Sequence, residues 1–89
     1  MTIEIVEIGF GFSVATKEII AILDPDSSPI KRLISVAKAE NRLIDSTNTR
    51  TVRSVIITRS NEVILSGVQA ATIGDKFVNR HFQKSKIDP

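Results

Sequence analysis

Residues 52–68 read VRSVIITRSNEVILSGV, two runs rich in valine and isoleucine separated by the polar residues RSNE. The runs, Val52 to Thr58 and Val63 to Val68, have the composition of β-strands. Arg59 to Glu62 between them has the composition of a turn. The stretch therefore predicts a β-hairpin. Because its apolar residues are nearly consecutive, both strands are predicted to be buried on both faces.

A helix is predicted before this hairpin, from Pro29 to about Glu40. Ser28 is a suitable N-cap, and Pro29 suits the first helical position, where a backbone N–H is not needed. The apolar residues that follow are spaced three and four apart: Ile30, Leu33, Ile34 and Ala37. This spacing is typical of an amphipathic helix with one buried face.

The remaining segments complete a small α+β domain. The predicted strands are Thr2 to Ile8, Phe12 to Leu23 and Leu43 to Ser46, and a last helix is predicted from Ala70 to Phe82. The second strand is irregular near residues 16–18, where a short helix is the alternative. The result is a single domain over residues 1–82 with two helices and a mostly antiparallel sheet of about five strands. Residues 83–89 form a short polar tail.

Composition restricts the class of protein. The chain has 89 residues, enough for one thin core, and no cysteine, which excludes disulfides and thiolate chemistry. The N-terminal residues lack the basic start and long apolar run of a secretory signal. No stretch approaches the roughly 18 apolar residues of a membrane span. We therefore expect a cytoplasmic protein that does not associate with membranes.

The patterns that mark catalytic, metal or cofactor sites are incomplete. Residues 9–11 (GFG) lack the third glycine of a dinucleotide fingerprint. Residues 24–28 (DPDSS) begin like a calcium loop, but Pro29 and Ser35 replace its glycine and its closing glutamate. His81 is the single histidine, and no serine has the sequence context of a nucleophile. We expect no enzymatic activity, no metal, no cofactor and no small-molecule ligand.

Charge is distributed unevenly along the chain. The net charge is +2, but residues 1–30 hold one base and five acids, whereas residues 31–89 hold eleven bases and five acids. This asymmetry can create a basic surface on a nearly neutral protein. It also suits docking of one subunit's acidic half onto another's basic half. An ordinary solvated surface is the alternative to both.

The basic residues predict contacts with phosphate. Residues 47–53 (TNTRTVR) place Arg50 on a turn and Arg53 at the start of a strand, where both can reach a DNA phosphate or a minor groove. Lys31 and Arg32 lie in the first helical turn, where the helix dipole opposes cations unless an anion binds there. Solvated charges are the alternative for all four. Without tryptophan or tyrosine to stack single-stranded bases, duplex DNA is the predicted ligand.

The apolar strands also predict self-association. Ile19 to Leu23, Ser54 to Ile57 and Val63 to Val68 are apolar at nearly every position, and two short helices can hardly cover both faces of such a sheet. Val36 falls on the otherwise polar side of the first helix. We therefore expect a homo-oligomer. The alternative is a monomer with a few exposed apolar side chains.

Residues spread over the chain match one known family. They are Ile8 to Gly11, Pro25, Ser27, Pro29 to Arg32, Leu43 to Asp45, Thr47, Arg50, Arg53, Ile64 to Ser66, Val68, Gln69 and Thr72. Their joint pattern, without gaps over about residues 1–78, resembles the family of the extracellular matrix regulatory protein RemA, which are small bacterial DNA-binding regulators. The resemblance implies a fold similar to that of LytTR regulators. It also implies ring-shaped oligomers that wrap promoter DNA and activate biofilm-matrix genes.

The chain departs from this family at two basic segments. Residues 16–18 are TKE where the family usually has Ala-Asn-Arg, so one charge is reversed while Lys17 supplies a neighbouring cation. Residues 49–53 are TRTVR where the family has Gly-Arg-Arg-Thr-Arg, so one of two paired arginines is lost. The predicted DNA contacts are Arg50, Arg53, Lys17, Lys31 and Arg32. Glu18 and Thr51 favour an alternative, a structural or protein-interaction ring subunit that has lost its affinity for DNA.

Overall fold

The computed structural model describes residues 4–75, which hold six strands and two helices. The elements are β1 (Ile5–Gly9), β2 (Phe12–Ala15), β3 (Ile19–Leu23), α1 (Ser28–Ala39), β4 (Leu43–Asp45), β5 (Ser54–Thr58), β6 (Val63–Ser66) and α2, which begins at residue 70. Strands β1 and β2 form an antiparallel hairpin, and the other four form a sheet in the order β3-β5-β6-β4. The β4–β6 pair is parallel and the other two pairs are antiparallel. The predicted α+β class is confirmed.

Both faces of the four-stranded sheet are covered within the chain. On one face, Val55, Val63 and Leu65 pack against Ala37 and the apolar side of α1. On the other face, two isoleucines of the central strands pack against the β1–β2 hairpin and α2, in a cluster of Val6, Ile8, Ile56, Ile64 and Ile73. Each such side chain contributes roughly 1.5–3 kcal/mol when buried. Successive residues of β5 and β6 face opposite sides, which explains why both strands are apolar at consecutive positions.

This arrangement confirms the hairpin of residues 52–68 and corrects one argument drawn from it. The central strands β5 and β6 are buried on both faces, as predicted. Their second face is covered by the β1–β2 hairpin and not by another subunit. The prediction of full burial is wrong for β3, because it lies at the edge of the sheet and leaves Ile20 65% exposed.

Two local predictions also change. The predicted strand from Phe12 to Leu23 is divided by a turn of 3-10 helix, Thr16–Glu18, so that its halves belong to different sheets and the strand count is six. The N-cap of α1 is Ser27 and not Ser28. Because Pro29 has no N–H, the free donor near this helix start is Ile30, whose N–H lies 3.4 Å from Ser27 Oγ.

The end of α1 follows its sequence. Asn41, directly after the helix, has a left-handed φ of 60°, a conformation that asparagine tolerates at the end of a helix. The rest of the predicted last helix, His81 and the predicted tail lie outside the described residues. Neither helix, as far as residues 4–75 define it, has the length and apolar character needed to cross a membrane.

Candidate nucleic-acid interface

The turn that carries Arg50 is anchored by its own side chains. Asp45 Oδ1 accepts hydrogen bonds from the Thr47 N–H at 2.9 Å and from the Thr47 hydroxyl at 2.6 Å. The Arg50 N–H donates to the Thr47 carbonyl at 3.0 Å and closes the turn. Thr47 is buried whereas Arg50 is exposed. The sequence therefore builds a fixed support under an arginine that faces solvent.

The pKa of Asp45 reflects this support. The Thr47 hydroxyl, and then the Thr47 N–H, donate to the carboxylate and lower the pKa of Asp45 below its ordinary value, against a smaller opposing effect of burial. The charged form of Asp45 is the one that accepts both hydrogen bonds. The anchor of the turn is therefore complete at neutral pH and weakens only in acid.

The central residues of this turn have unusual backbone conformations. Asn48 and Thr49 have φ values of 53° and 68°, the pattern of a type I′ turn. Asparagine adopts such a conformation at little cost, but it is strained for a β-branched residue such as Thr49. The Arg50 turn thus contains local strain beside its anchor.

A second turn meets the first one. Gly9 pairs with Phe12 across the β1–β2 hairpin, so that the connecting loop is the dipeptide of Phe10 and Gly11, with φ values of 53° and 81°. The Phe10 ring is 47% exposed, and Arg50 Cζ lies 5.1 Å from its centroid. This distance is within the range of a cation–π interaction. The hairpin tip and the Arg50 turn are thus in contact.

Arg53 lies on the same surface. Its N–H donates to the Ser66 carbonyl at 2.8 Å, which fixes its backbone against β6, and its side chain is exposed. A cleft of about 210 Å³ is lined by Phe10, Arg50, Thr51, Arg53 and Gly67, and we call it the arginine cleft. Among residues 4–75, the single ion pair joins Arg42 to Glu40, so neither arginine of this cleft is neutralised there by a carboxylate.

Lys31 and Arg32 lie at the same end of the sheet. A second cleft of about 340 Å³ is lined by Arg53, by residues 24–26 before α1 and by residues 69–71 at the start of α2. Lys31 and Arg32 are exposed on the first turn of α1, directly after this loop. Asp24 and Asp26 line the second cleft, so carboxylates lie beside the cations there.

Lys17 lies at the opposite end of the sheet. Strand β3 runs antiparallel to β5, which pairs Ile19 with Thr58 and places the 3-10 helix beside the β5–β6 turn. The Lys17 carbonyl accepts a hydrogen bond from Arg59 Nε at 2.8 Å. Arg53 and Arg59 flank β5, which separates them by roughly 20 Å of extended chain. The structure therefore brings Arg50 and Arg53 together and separates Lys17 from both.

Sequence reasoning did not assign a binding role to Phe10 or a partner to Arg59. One signal was present for Phe10, because a large aromatic residue stands between two glycines where turn chemistry favours asparagine or glycine. For Arg59 no signal existed, since its partners are backbone carbonyls of a distant segment.

Comparison with known proteins identifies relatives of similar length. The model of the RemA-like family, described as extracellular matrix regulatory protein A-like, matches residues 5–77. A relative from Oceanobacillus iheyensis is 46% identical over 79 residues, which cover 89% of this chain and 92% of the relative. A relative from Nostoc sp. is 47% identical over 78 residues (88% and 89%), and one from Thermotoga maritima is 45% identical over 83 residues (93% and 90%). Each of the three is named as a regulatory protein.

Proposed function

The chain belongs to the RemA-like family of regulatory proteins, and from this membership and the arginine cleft we propose that it is a DNA-binding transcriptional regulator. It forms a ring-shaped homo-oligomer and contacts the backbone of duplex DNA through basic loops repeated around the ring. It acts in the bacterial cytoplasm, without catalysis, and biofilm-matrix genes are its expected targets. The arginine cleft is the observation that carries the proposal.

The state of Arg50 supports a phosphate contact. Its guanidinium rests against an aromatic ring and has no carboxylate partner among residues 4–75, so its positive charge remains available to a ligand. An arginine binds phosphate through two parallel hydrogen bonds, which a fixed turn can direct. Arg53, on the other wall of the cleft, provides a second contact. Lys31 and Arg32 extend this surface beyond residues 24–26.

Exposed apolar residues support the homo-oligomer. Ile20 is 65% exposed on edge strand β3, and Val36 is 43% exposed on α1. Strand β3 carries no charge or proline, which are the devices that usually protect an edge strand from association. A ring would cover such surfaces and repeat a weak DNA contact on every subunit, which raises the total affinity without any new type of contact.

The test is fluorescence anisotropy of A/T-rich and mixed duplex DNA at about 50 and 200 mM salt, with the oligomer followed by sedimentation. We expect binding that weakens steeply with salt. Arg50→Ala should abolish most of this binding while the oligomer remains intact. Its salt slope should fall by about 0.9 for each phosphate that the variant no longer neutralises. Absence of binding by the assembled wild-type protein at low salt would overturn the proposal.

A second function is favoured by Glu18 and Thr51. Thr51 lines the arginine cleft at a position where the family usually carries arginine, and Glu18 introduces a negative charge beside Lys17. A ring subunit that has lost its affinity for DNA would have these features. In that case the wild-type oligomer does not bind DNA, and restoring cations with Thr51→Arg and Glu18→Arg creates salt-dependent binding without changing the oligomer.

A further inference from the structure

Phe10 has a conformation and an exposure that its place in the fold does not require. It is a bulky residue with a left-handed φ of 53° in a two-residue hairpin loop, where asparagine or glycine would be unstrained. Its ring is 47% exposed and adds little to the core. Strained residues that persist in a folded protein are concentrated at functional sites. Phe10 is therefore a candidate for a direct role in binding.

The base of the hairpin holds this ring in a fixed position. Val6 and Ile8, on the strand that leads to the tip, are fully buried. The Ser66 hydroxyl donates to the Ile8 carbonyl at 2.7 Å, and the Val68 N–H donates to the Ser66 hydroxyl at 3.0 Å. Because the strand below Phe10 is tied to the central sheet, the ring is presented on a rigid support at the surface.

The neighbours of the ring suggest its ligand. Phe10 shares the arginine cleft with Arg50 and Arg53, so an apolar surface and two cations face the same space. Proteins that bind the minor groove combine cations, which follow its negative potential, with apolar side chains placed against the nucleotides. The same combination would be costly as a general surface, because exposed apolar area gains nothing in water.

We infer that Phe10 is a DNA-contacting residue whose ring packs on the sugar edges of the minor groove while Arg50 beside it contacts phosphate. This inference rests on the proposed function and identifies the salt-independent part of its binding. Packing on the sugars is favoured over insertion between bases. A wedge in the minor groove kinks DNA toward the major groove and so away from the protein, opposite to the path around a ring.

The test compares Phe10→Asn with the wild type. Asparagine suits the left-handed turn better than phenylalanine, so this variant should melt at a higher temperature and cannot be dismissed as misfolded. Its affinity for duplex DNA should fall roughly tenfold, the effect of losing half of an aromatic contact area, by the same factor at about 50 and 200 mM salt. The salt slope should not change, because no phosphate contact is removed.

Two further variants separate a contact from a positioning role. Phe10→Leu keeps an apolar side chain but offers no ring to the guanidinium, so it should retain most of the affinity if the ring contacts DNA. Phe12→Ala is the matched control. Phe12 is 43% exposed on the same hairpin but lines a different cleft, beside Ile44 and Ile64, and its removal should leave DNA affinity unchanged.

Several outcomes would overturn the inference. Unchanged affinity of Phe10→Asn would show that the ring does not contact DNA. A lowered salt slope would show that Phe10 acts only through Arg50, and a dissociated oligomer would place it in a subunit interface. Failure of the proposed function is distinct from all of these, because the wild-type oligomer would then not bind DNA at low salt.

Discussion

Strand β5 has an arginine at each end, and the fold uses the two in different ways. At its C-terminal end, Arg59 donates from Nε to the Lys17 carbonyl and from its N–H to the Glu18 carbonyl, both at 2.8 Å. At its N-terminal end, Arg53 uses only its N–H, on Ser66, and its guanidinium faces the arginine cleft. An exposed arginine is thus available to a ligand only where backbone acceptors do not already hold it.

The backbone explains this difference. The 3-10 helix between β2 and β3 is too short to satisfy its own carbonyls, and those of Lys17 and Glu18 point toward Arg59. The loop at the other end is satisfied internally, because Asp45 accepts both donors of Thr47. The sheet thus has one end where a cation stabilises the fold and one end where cations remain unpaired among the described residues.

The largest effect is expected when the two arginines are removed in turn. Arg53→Ala should weaken DNA binding by about tenfold or more, multiplied by repetition around the ring, and lower the salt slope, with little change in stability. Arg59→Ala should keep DNA affinity and lose about 1 kcal/mol of unfolding free energy, because it removes a hydrogen bond at the surface. Anisotropy titrations and urea denaturation measure the two quantities. Equal losses of DNA affinity would eliminate the distinction between the two ends.

The next effect concerns the hydroxyls that support each end. Ser66→Ala should destabilise the protein by about 1–3 kcal/mol, because it leaves the buried carbonyl of Ile8 without this donor. It should also speed hydrogen exchange at the hairpin tip and weaken DNA binding, since it loosens the support of Phe10.

Thr58→Val provides the control at the opposite end. It removes the acceptor of the Glu62 N–H, 3.1 Å away, and should cost a similar free energy of unfolding while leaving DNA affinity intact. If both variants, or neither of them, weaken DNA binding, the arginine cleft does not depend on the hairpin as described.

The sequence predicted these regions to different degrees. The hairpin of residues 52–68 and α1 were predictable because their burial follows a local periodicity. The cover of the second face was not, since Val6 and Ile8 show that a face of β1 is buried but not against which element. Likewise, Arg50 and Arg53 are close in sequence and were grouped correctly, whereas the contact with Phe10 depends on long-range packing.

A smaller effect should reveal strain at the arginine end. Thr49→Gly removes a β-branched residue from a φ of 68°, which relieves about 1–2 kcal/mol, and adds about 0.5–1 kcal/mol of chain entropy to the unfolded state. The net expectation is a stabilisation of roughly 0.5–1 kcal/mol, visible as a rise of a few degrees in Tm. Thr51→Gly is the matched control and should destabilise, because the φ of Thr51 is not left-handed. A fall in Tm for both variants would show that position 49 stores no strain.

The smallest effect is the acid sensitivity of the turn that holds Arg50. The folded state accepts two donors on ionised Asp45, so its pKa lies below the unfolded value near 3.8. This contribution to stability is therefore complete above that pH and is lost as the pH falls through the lower folded pKa. An NMR titration of the Asp45 carboxyl should show the lowered pKa in the wild type and in Thr47→Ser, which keeps the hydroxyl. Thr47→Val, which lacks it, should titrate closer to 3.8 because the largest cause of the shift is removed. An ordinary Asp45 pKa in the wild type would mean that the turn is not anchored in solution, and the arginine cleft would then lose the rigidity that separates it from the Arg59 end.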